Sequence, residues 1–74
     1  MTTSEKFGDI VKKYRNELKY SQEYLAKLSK LDRTTIVRIE KGERTPTLDT
    51  IYMISEALEK KPYELIIETY HFVK

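Results

Sequence analysis

Cationic, hydroxyl and methyl-bearing side chains recur along one side of a short segment near the middle of the chain. Arg33, Thr34, Val37 and Arg38 share one face if this segment is helical, and Lys41 lies on the same side one turn further on. An arginine guanidinium can donate two hydrogen bonds to guanine O6 and N7, and a methyl group can contact thymine. These side chains therefore predict a surface that reads base edges in the major groove of duplex DNA. The alternative is an exposed helix face whose arginines are merely solvated.

Two N-capping residues delimit the helices that must position this face. Ser21 and Asp32, eleven residues apart, can each accept a backbone N–H from a first helical turn. The interval holds a helix of about two turns and a short bend. Ile36 and Ile39 would turn the opposite side of the second helix towards a core, and Gly42 suits the left-handed position just beyond its end. The sequence therefore predicts a helix-turn-helix.

Apolar residues at a spacing of three and four predict helices along the rest of the chain as well. Thr3 or Ser4 is the predicted N-cap of the first helix. The five predicted helices run over about 4–18, 22–28, 33–41, 48–60 and from 62 onward. The positions predicted to be buried share this period, and they are Phe7, Ile10, Val11, Tyr14, Leu18, Leu25, Ala26, Leu28, Leu48, Ile51, Ile54, Ser55, Leu58 and Leu65. We find no strand pattern and no internal repeat, so an all-α fold is expected.

Length and charge predict one small domain, residues 1–74, with a polyanion as partner. The net charge is only +2, but residues 1–46 hold 11 basic and 7 acidic residues, whereas residues 47–74 hold 3 and 5. A basic front and a mildly acidic back suit a protein that presents one side to DNA, although ordinary surface charge gives similar counts. The chain has no cysteine, no apolar leader at its start and no stretch of membrane-spanning length, so we expect a cytoplasmic protein.

Catalytic and metal chemistry have almost no support in the residue pattern. His71 is the only histidine, and it has neither a cysteine nor a carboxylate at ligand spacing. The only two glycines, Gly8 and Gly42, cannot form a phosphate-cradling loop. We therefore expect no enzyme activity, metal, cofactor or small-molecule ligand.

The last helix is apolar around more than one face. Leu65 is expected to close the core, which leaves Ile66, Ile67 and Tyr70 as surplus apolar surface. A surface of this kind predicts a dimer contact. The alternative is a terminal helix that wraps further over its own core.

Several segments in fixed register resemble a known family. SQEYLA, TIVRIEKGERTPTLDTI and ISEAL, within residues 7–66, are similar to the XRE family of bacterial and phage regulators, of lambda repressor/Cro type. This resemblance implies a five-helix lambda repressor-like domain that binds operator DNA as a homodimer. The run from Leu31 to Thr34 further resembles the small controller proteins of restriction–modification systems, although Thr35 stands where those proteins often carry an aromatic residue.

The resemblance also implies roles for individual residues. Arg33, Thr34 and Arg38 match base-reading positions, and Val37 stands where a small polar residue is common. Arg15 and Glu40 match a pair that joins the first and third helices, so Glu40 is expected to be structural. Lys30 replaces the usual glycine of the turn. Gln22 matches the family glutamine that contacts a phosphate, and from the sequence itself we also expect Lys41, Arg44 and Thr47 to contact the phosphate backbone of DNA.

The function expected from the sequence is regulation of transcription. A homodimer would bind a two-fold-related operator sequence-specifically, as a repressor that also regulates its own gene. A restriction–modification controller that activates or represses is an alternative. A second alternative, of a different class, is an antitoxin-like interaction module whose working surface is the last helix and whose arginines are incidental.

Overall fold

Five α-helices form the part of the chain that the computed structural model describes, which is residues 1–73, with side chains for residues 1–70. The helices are α1 Thr3–Glu17, α2 Gln22–Ser29, α3 Arg33–Glu40, α4 Leu48–Ala57 and α5 Pro62–Val73. No strand occurs in residues 1–73, and none of these helices has the length and apolar character needed to cross a membrane. The predicted surface position of His71 lies outside the described side chains.

Polar caps explain where the helices begin. The hydroxyl of Thr2 accepts from the Glu5 N–H at 3.1 Å, and the Glu5 carboxylate accepts from the Thr2 N–H at 2.8 Å. The predicted cap at Thr3 or Ser4 is wrong, because only Thr2 has a glutamate three residues later to complete this reciprocal pair. At the start of α5 only one of these two hydrogen bonds is present, in which the Glu64 carboxylate accepts from the Lys61 N–H at 2.7 Å.

All five helices contribute to one apolar core. Its buried members are Phe7, Ile10, Val11, Leu25, Ala26, Ile36, Ile39, Ile54, Leu58 and Leu65. Two predicted core positions are wrong, since Leu28 is 40% exposed and Leu48 is 81% exposed. The buried position at the end of α2 belongs instead to Ser29, whose hydroxyl donates to the Leu25 carbonyl at 2.7 Å. Leu48 is the first residue of α4 and extends beyond the core.

The turn between α2 and α3 depends on a left-handed residue. Lys30 has φ +62°, the region in which glycine is more favourable than a residue with a Cβ. The next N–H, that of Leu31, donates back to the Ala26 carbonyl at 3.0 Å, and the Leu31 side chain packs against the core. The left-handed backbone at Lys30 is unfavourable for a lysine, but it ends α2 and reverses the chain towards the start of α3.

A glycine allows α1 to lie directly on the end of α3. A Cβ added at Gly8 would come within 2.2 Å of the Ile39 carbonyl oxygen and within 2.8 Å of the Glu40 carbonyl oxygen. The backbones therefore approach more closely than any side chain would permit. The position of α3 is consequently determined both by its close contact with α1 and by the turn at Lys30.

Candidate nucleic-acid interface

The third helix begins at a strong cap and presents two different faces. Asp32 accepts from the Thr35 N–H at 2.7 Å, and this hydrogen bond lowers the pKa of Asp32, with smaller contributions from the charges of Arg44 and Arg38. Ile36 and Ile39 are fully buried against the core. The opposite face is consequently turned to solvent, as the sequence predicted.

That outer face carries an open recess of about 220 Å³, and a second recess of about 420 Å³ lies next to it at the start of α2. The smaller recess is lined by Arg33, Thr34, Val37, Arg38, Lys41 and Glu43. The four side chains predicted to read bases therefore lie together. Arg33, Thr34 and Arg38 are exposed, whereas Val37 is half-buried and offers only part of its surface.

Arg33 also borders the second recess, at the start of α2. The larger recess is lined by Arg15, Ser21, Gln22, Glu23 and Arg33. Free backbone N–H groups at a helix start favour an anion, and a guanidinium beside them adds to this preference. The geometry therefore lets Arg33 contact either a base edge or a phosphate.

A buried ion pair fixes α3 to the scaffold. The Arg15 Nε donates to Glu40 Oε2 at 2.6 Å and its Nη2 to Oε1 at 3.1 Å, so the pair is bidentate. Arg15 Nη1 also donates to the Tyr20 carbonyl at 2.7 Å. Gln22 Nε2 donates to Glu40 Oε1 at 3.0 Å. The network joins α1, α2 and α3, and Glu40 has the structural position expected from the sequence.

The residues assigned to the phosphate backbone differ in their freedom to make such a contact. Lys41 and Arg44 are exposed. Gln22 is half-buried, and one N–H of its amide group remains after the bond to Glu40. The Thr47 hydroxyl caps α4, where it accepts from the Thr50 N–H at 3.1 Å and donates to the Thr50 hydroxyl at 3.0 Å. In this arrangement the Thr47 hydroxyl proton is directed at Thr50.

A separate apolar surface covers α5 and the start of α4. Ile67 is 62% exposed and Tyr70 is 59% exposed, while Ile66 is half-buried. The strongly exposed Leu48 lines a cleft of about 420 Å³ together with Ile66 and Tyr70. The side chains that line this cleft are Thr3, Ser4, Phe7, Thr45, Pro46, Leu48, Ile51, Ile66, Thr69 and Tyr70. Leu48 was missed as a surface residue because it fits the helical period of α4.

One charged residue of the α3 surface was not singled out from the sequence. Glu43 follows the helix and lines the same recess as the arginines. Its position depends on the chain reversal at Gly42, which has φ +75°, and helical spacing cannot predict a reversal of that kind. Only the loop glycine itself signals the turn.

Two short helices joined by a tight turn, with a cationic exposed face on the second, define the helix-turn-helix class of DNA-binding proteins. A sequence profile with the description Helix-turn-helix matches residues 11–65. The chain belongs to this family, in its XRE-type branch, and is a DNA-binding regulator of transcription. The resemblance inferred from the sequence is confirmed, and so is the all-α fold.

Individual proteins similar to this chain are control proteins. Control protein C.SmaI from Serratia marcescens is 38% identical over 66 residues, which are 89% of this chain and 79% of the relative. The structure of the restriction-modification controller protein C.AhdI from Aeromonas hydrophila matches with a TM-score of 0.82 and 39% identity, over 84% of this chain and 94% of that one. Wild-type restriction-modification controller protein C.Esp1396I matches with a TM-score of 0.82 and 33% identity, over 95% and 94%. Each of these relatives is named as a control or controller protein, and two of them as controllers of restriction–modification.

Proposed function

We propose that this protein controls the genes of a restriction–modification system, and that it does so as a homodimer on a two-fold-related operator. The observation that carries the proposal is the exposed row of Arg33, Thr34 and Arg38 on a helix whose other side is locked to the core. The names of the relatives, all control proteins, supply the biological role. The site of action is the bacterial cytoplasm, and the mode of action is repression coupled to control of its own gene.

Rigid support is what makes this surface suitable for base reading. Base contacts confer specificity only if the side chains enter the groove in a fixed register, and phosphate contacts provide that register. The recess at the start of α2 offers Gln22 and backbone N–H groups for one phosphate, and Lys41 and Arg44 offer charge for others. In a two-fold dimer the two α3 helices would enter successive major grooves, roughly 34 Å apart.

Replacing Arg38 with alanine tests base reading directly. Loss of a bidentate guanine contact is worth about 1–3 kcal/mol, so affinity for the operator should fall by about 5- to 150-fold. Affinity for unrelated duplex should fall only by the few-fold expected for one lost charge. The measurement is a quantitative mobility shift at fixed salt, on an operator obtained by selection from a random DNA pool.

Lys12→Ala is the matched control, because Lys12 is an exposed cation of α1 that lines neither recess of the α3 surface. It should weaken both kinds of binding slightly and equally. If Arg38→Ala behaves in the same way as this control, Arg38 does not read bases and the proposed role of the α3 face is wrong.

Exposed apolar residues support the homodimer. Ile67, Tyr70 and Leu48 are large apolar side chains that are each more than half exposed, and exposed apolar surface of this kind often marks a contact between proteins. In a two-fold interface the same patch occurs on both subunits, so these residues would pack against their own symmetry copies. A second copy of the chain is therefore the partner proposed for α5.

Replacing Ile67 with aspartate should weaken self-association at least tenfold. Two-fold symmetry introduces the buried charge twice, and each copy must be desolvated when the dimer forms. The helix should still form, since Ile67 is 62% exposed. Sedimentation equilibrium gives the dimer constant, and circular dichroism checks the fold.

Leu28→Asp is the control, because Leu28 is 40% exposed on α2 and lies outside the α5 surface. It should leave the dimer constant unchanged. An Ile67→Asp protein that dimerises as tightly as the unmodified protein would rule out α5 as the interface while leaving DNA binding by α3 in place.

A further inference from the structure

One acidic residue borders the α3 recess. The other charged residues that line it, Arg33, Arg38 and Lys41, are cationic, and the acidic one is Glu43. DNA-facing surfaces generally exclude carboxylates, because the phosphate backbone repels them. The presence of Glu43 on this surface therefore needs a physical reason.

The backbone holds Glu43 firmly in this position. Its N–H donates to the Arg38 carbonyl at 3.0 Å, and the Gly42 N–H donates to the Ile39 carbonyl at 3.0 Å. Gly42 itself is pressed against α1, since a Cβ there would come within 2.6 Å of the Glu5 Cα. Glu43 is thus tied to the end of α3 and does not belong to a freely moving loop.

The Glu43 carboxylate has no partner in the described part of the chain. The ion pairs among residues 1–70 are Lys13–Glu68 and Arg15–Glu40, and no side-chain hydrogen bond reaches Glu43. The nearby Glu40 is the opposite case, because both of its oxygens are occupied by Arg15 and Gln22. One carboxylate at the end of α3 therefore stabilises the fold, and the other remains free to accept hydrogen bonds from a ligand.

In the major groove, a carboxylate discriminates strongly between bases. Guanine presents two acceptors there, thymine an acceptor and a methyl group, and adenine an N6 amino donor beside its N7 acceptor, whereas cytosine presents the N4 amino donor with no acceptor beside it. A carboxylate brought against acceptors or phosphates loses its hydration without compensation, which is costly. A glutamate at this interface consequently favours sites that place a cytosine amino group within its reach.

We propose that Glu43 is a specificity-determining residue, which accepts a hydrogen bond from the exocyclic amino group of a cytosine in each half-site and disfavours DNA that lacks it. The proposal rests on the proposed function, namely DNA binding by the α3 face. Discrimination by Glu43 has an attractive part towards the cytosine amino group and a repulsive part towards bases that turn an acceptor towards the carboxylate. Arg38 and Glu43 would then read different base pairs from the same helix end.

Substitution by glutamine tests the role of the charge with little change in shape. Operators are selected from one random duplex pool by the unmodified protein and by Glu43→Gln, and affinities are measured by mobility shift at one salt concentration. The selected operator, the same operator with each preferred cytosine replaced in turn, and an unrelated duplex serve as probes. Circular dichroism verifies the fold, which should be unaffected because Glu43 is exposed.

The expected result is a change at one position of each half-site. The unmodified protein should prefer cytosine there by about tenfold, which is a typical cost of one mismatched pair, and Glu43→Gln should reduce that preference to about twofold or less. Glu43→Gln should also bind the unrelated duplex more tightly. Glu17→Gln is the control, because it removes the same charge from an exposed position of α1 outside both recesses.

The possible failures are distinguishable. If Glu43→Gln selects the same motif with the same preferences, or strengthens binding to every duplex as much as Glu17→Gln does, Glu43 does not read a base and the inference is overturned, while the proposed function stands. If the unmodified protein selects no motif at all, the proposed function fails first and the role of Glu43 fails with it.

Discussion

Replacing Glu40 with alanine is expected to lower the free energy of unfolding by about 3–5 kcal/mol, because it leaves a buried guanidinium without its counter-charge. The exposed fraction of Arg15 is only 9%, and that of Glu40 is 8%. Arg15 would keep its bond to the Tyr20 carbonyl but lose both bonds to the carboxylate, and Gln22 would lose its acceptor. Urea denaturation followed by circular dichroism measures the change.

The loss is large compared with the total stability of a domain of this size, which is typically about 5–15 kcal/mol or less. If Glu40→Ala is unfolded in buffer, Glu40→Gln provides a measurable second variant. It keeps the shape and one acceptor oxygen and should lose less stability than Glu40→Ala.

The exposed ion pair of the same chain is the natural control. Lys13 Nζ lies 3.3 Å from Glu68 Oε1, and the two side chains are 53% and 27% exposed. Lys13→Ala should therefore cost less than about 1 kcal/mol. Equal losses for Glu40→Ala and Lys13→Ala would contradict the view that Arg15–Glu40 locks α3 to the scaffold.

Core positions in the middle of helices could be predicted from the sequence because the helical period alone decides them. Leu25, Ile36 and Ile54 are buried as expected. The period fails at helix ends, where burial depends on which helix lies opposite. Leu48 has the spacing of the buried face of α4 but extends past the core. Leu28 also has the spacing of a buried position, but Ser29 occupies the buried site at the end of α2 and Leu28 remains exposed.

The candidate DNA surface could be predicted to the same extent and for the same reason. Arg33, Thr34 and Arg38 lie together because they belong to one helix of known period, and their contacts with bases remain a prediction. Glu43 could not be found in this way, because a left-handed glycine and a hydrogen bond back to α3 determine its place. A carboxylate that follows a helix in sequence can thus join the face of that helix in space.

The importance of Gly8 was also hidden from the sequence, because glycine in a helix normally only weakens it. By helix propensity alone, Gly8→Ala should stabilise the protein by about 1 kcal/mol. The packing predicts the opposite sign, since the new methyl group would lie 2.2 Å from the Ile39 carbonyl oxygen. We expect the cost of overpacking, typically about 1–3 kcal/mol, to exceed the gain in helix propensity. A backbone carbonyl cannot rotate away from the new methyl group as a side chain can.

Gly8→Ala should therefore lower the melting temperature, and the surviving folded protein should bind operator DNA more weakly because α1 would push the end of α3 from its place. Thermal unfolding and mobility shift measure the two effects. Asp9→Ala is the control, since Asp9 is the exposed neighbour in α1 and its substitution adds no atom against α3. A Gly8→Ala protein with a raised melting temperature and normal operator affinity would show that α1 and α3 can separate without cost. In that case the orientation of α3 would depend on the Lys30 turn and the Arg15–Glu40 pair alone.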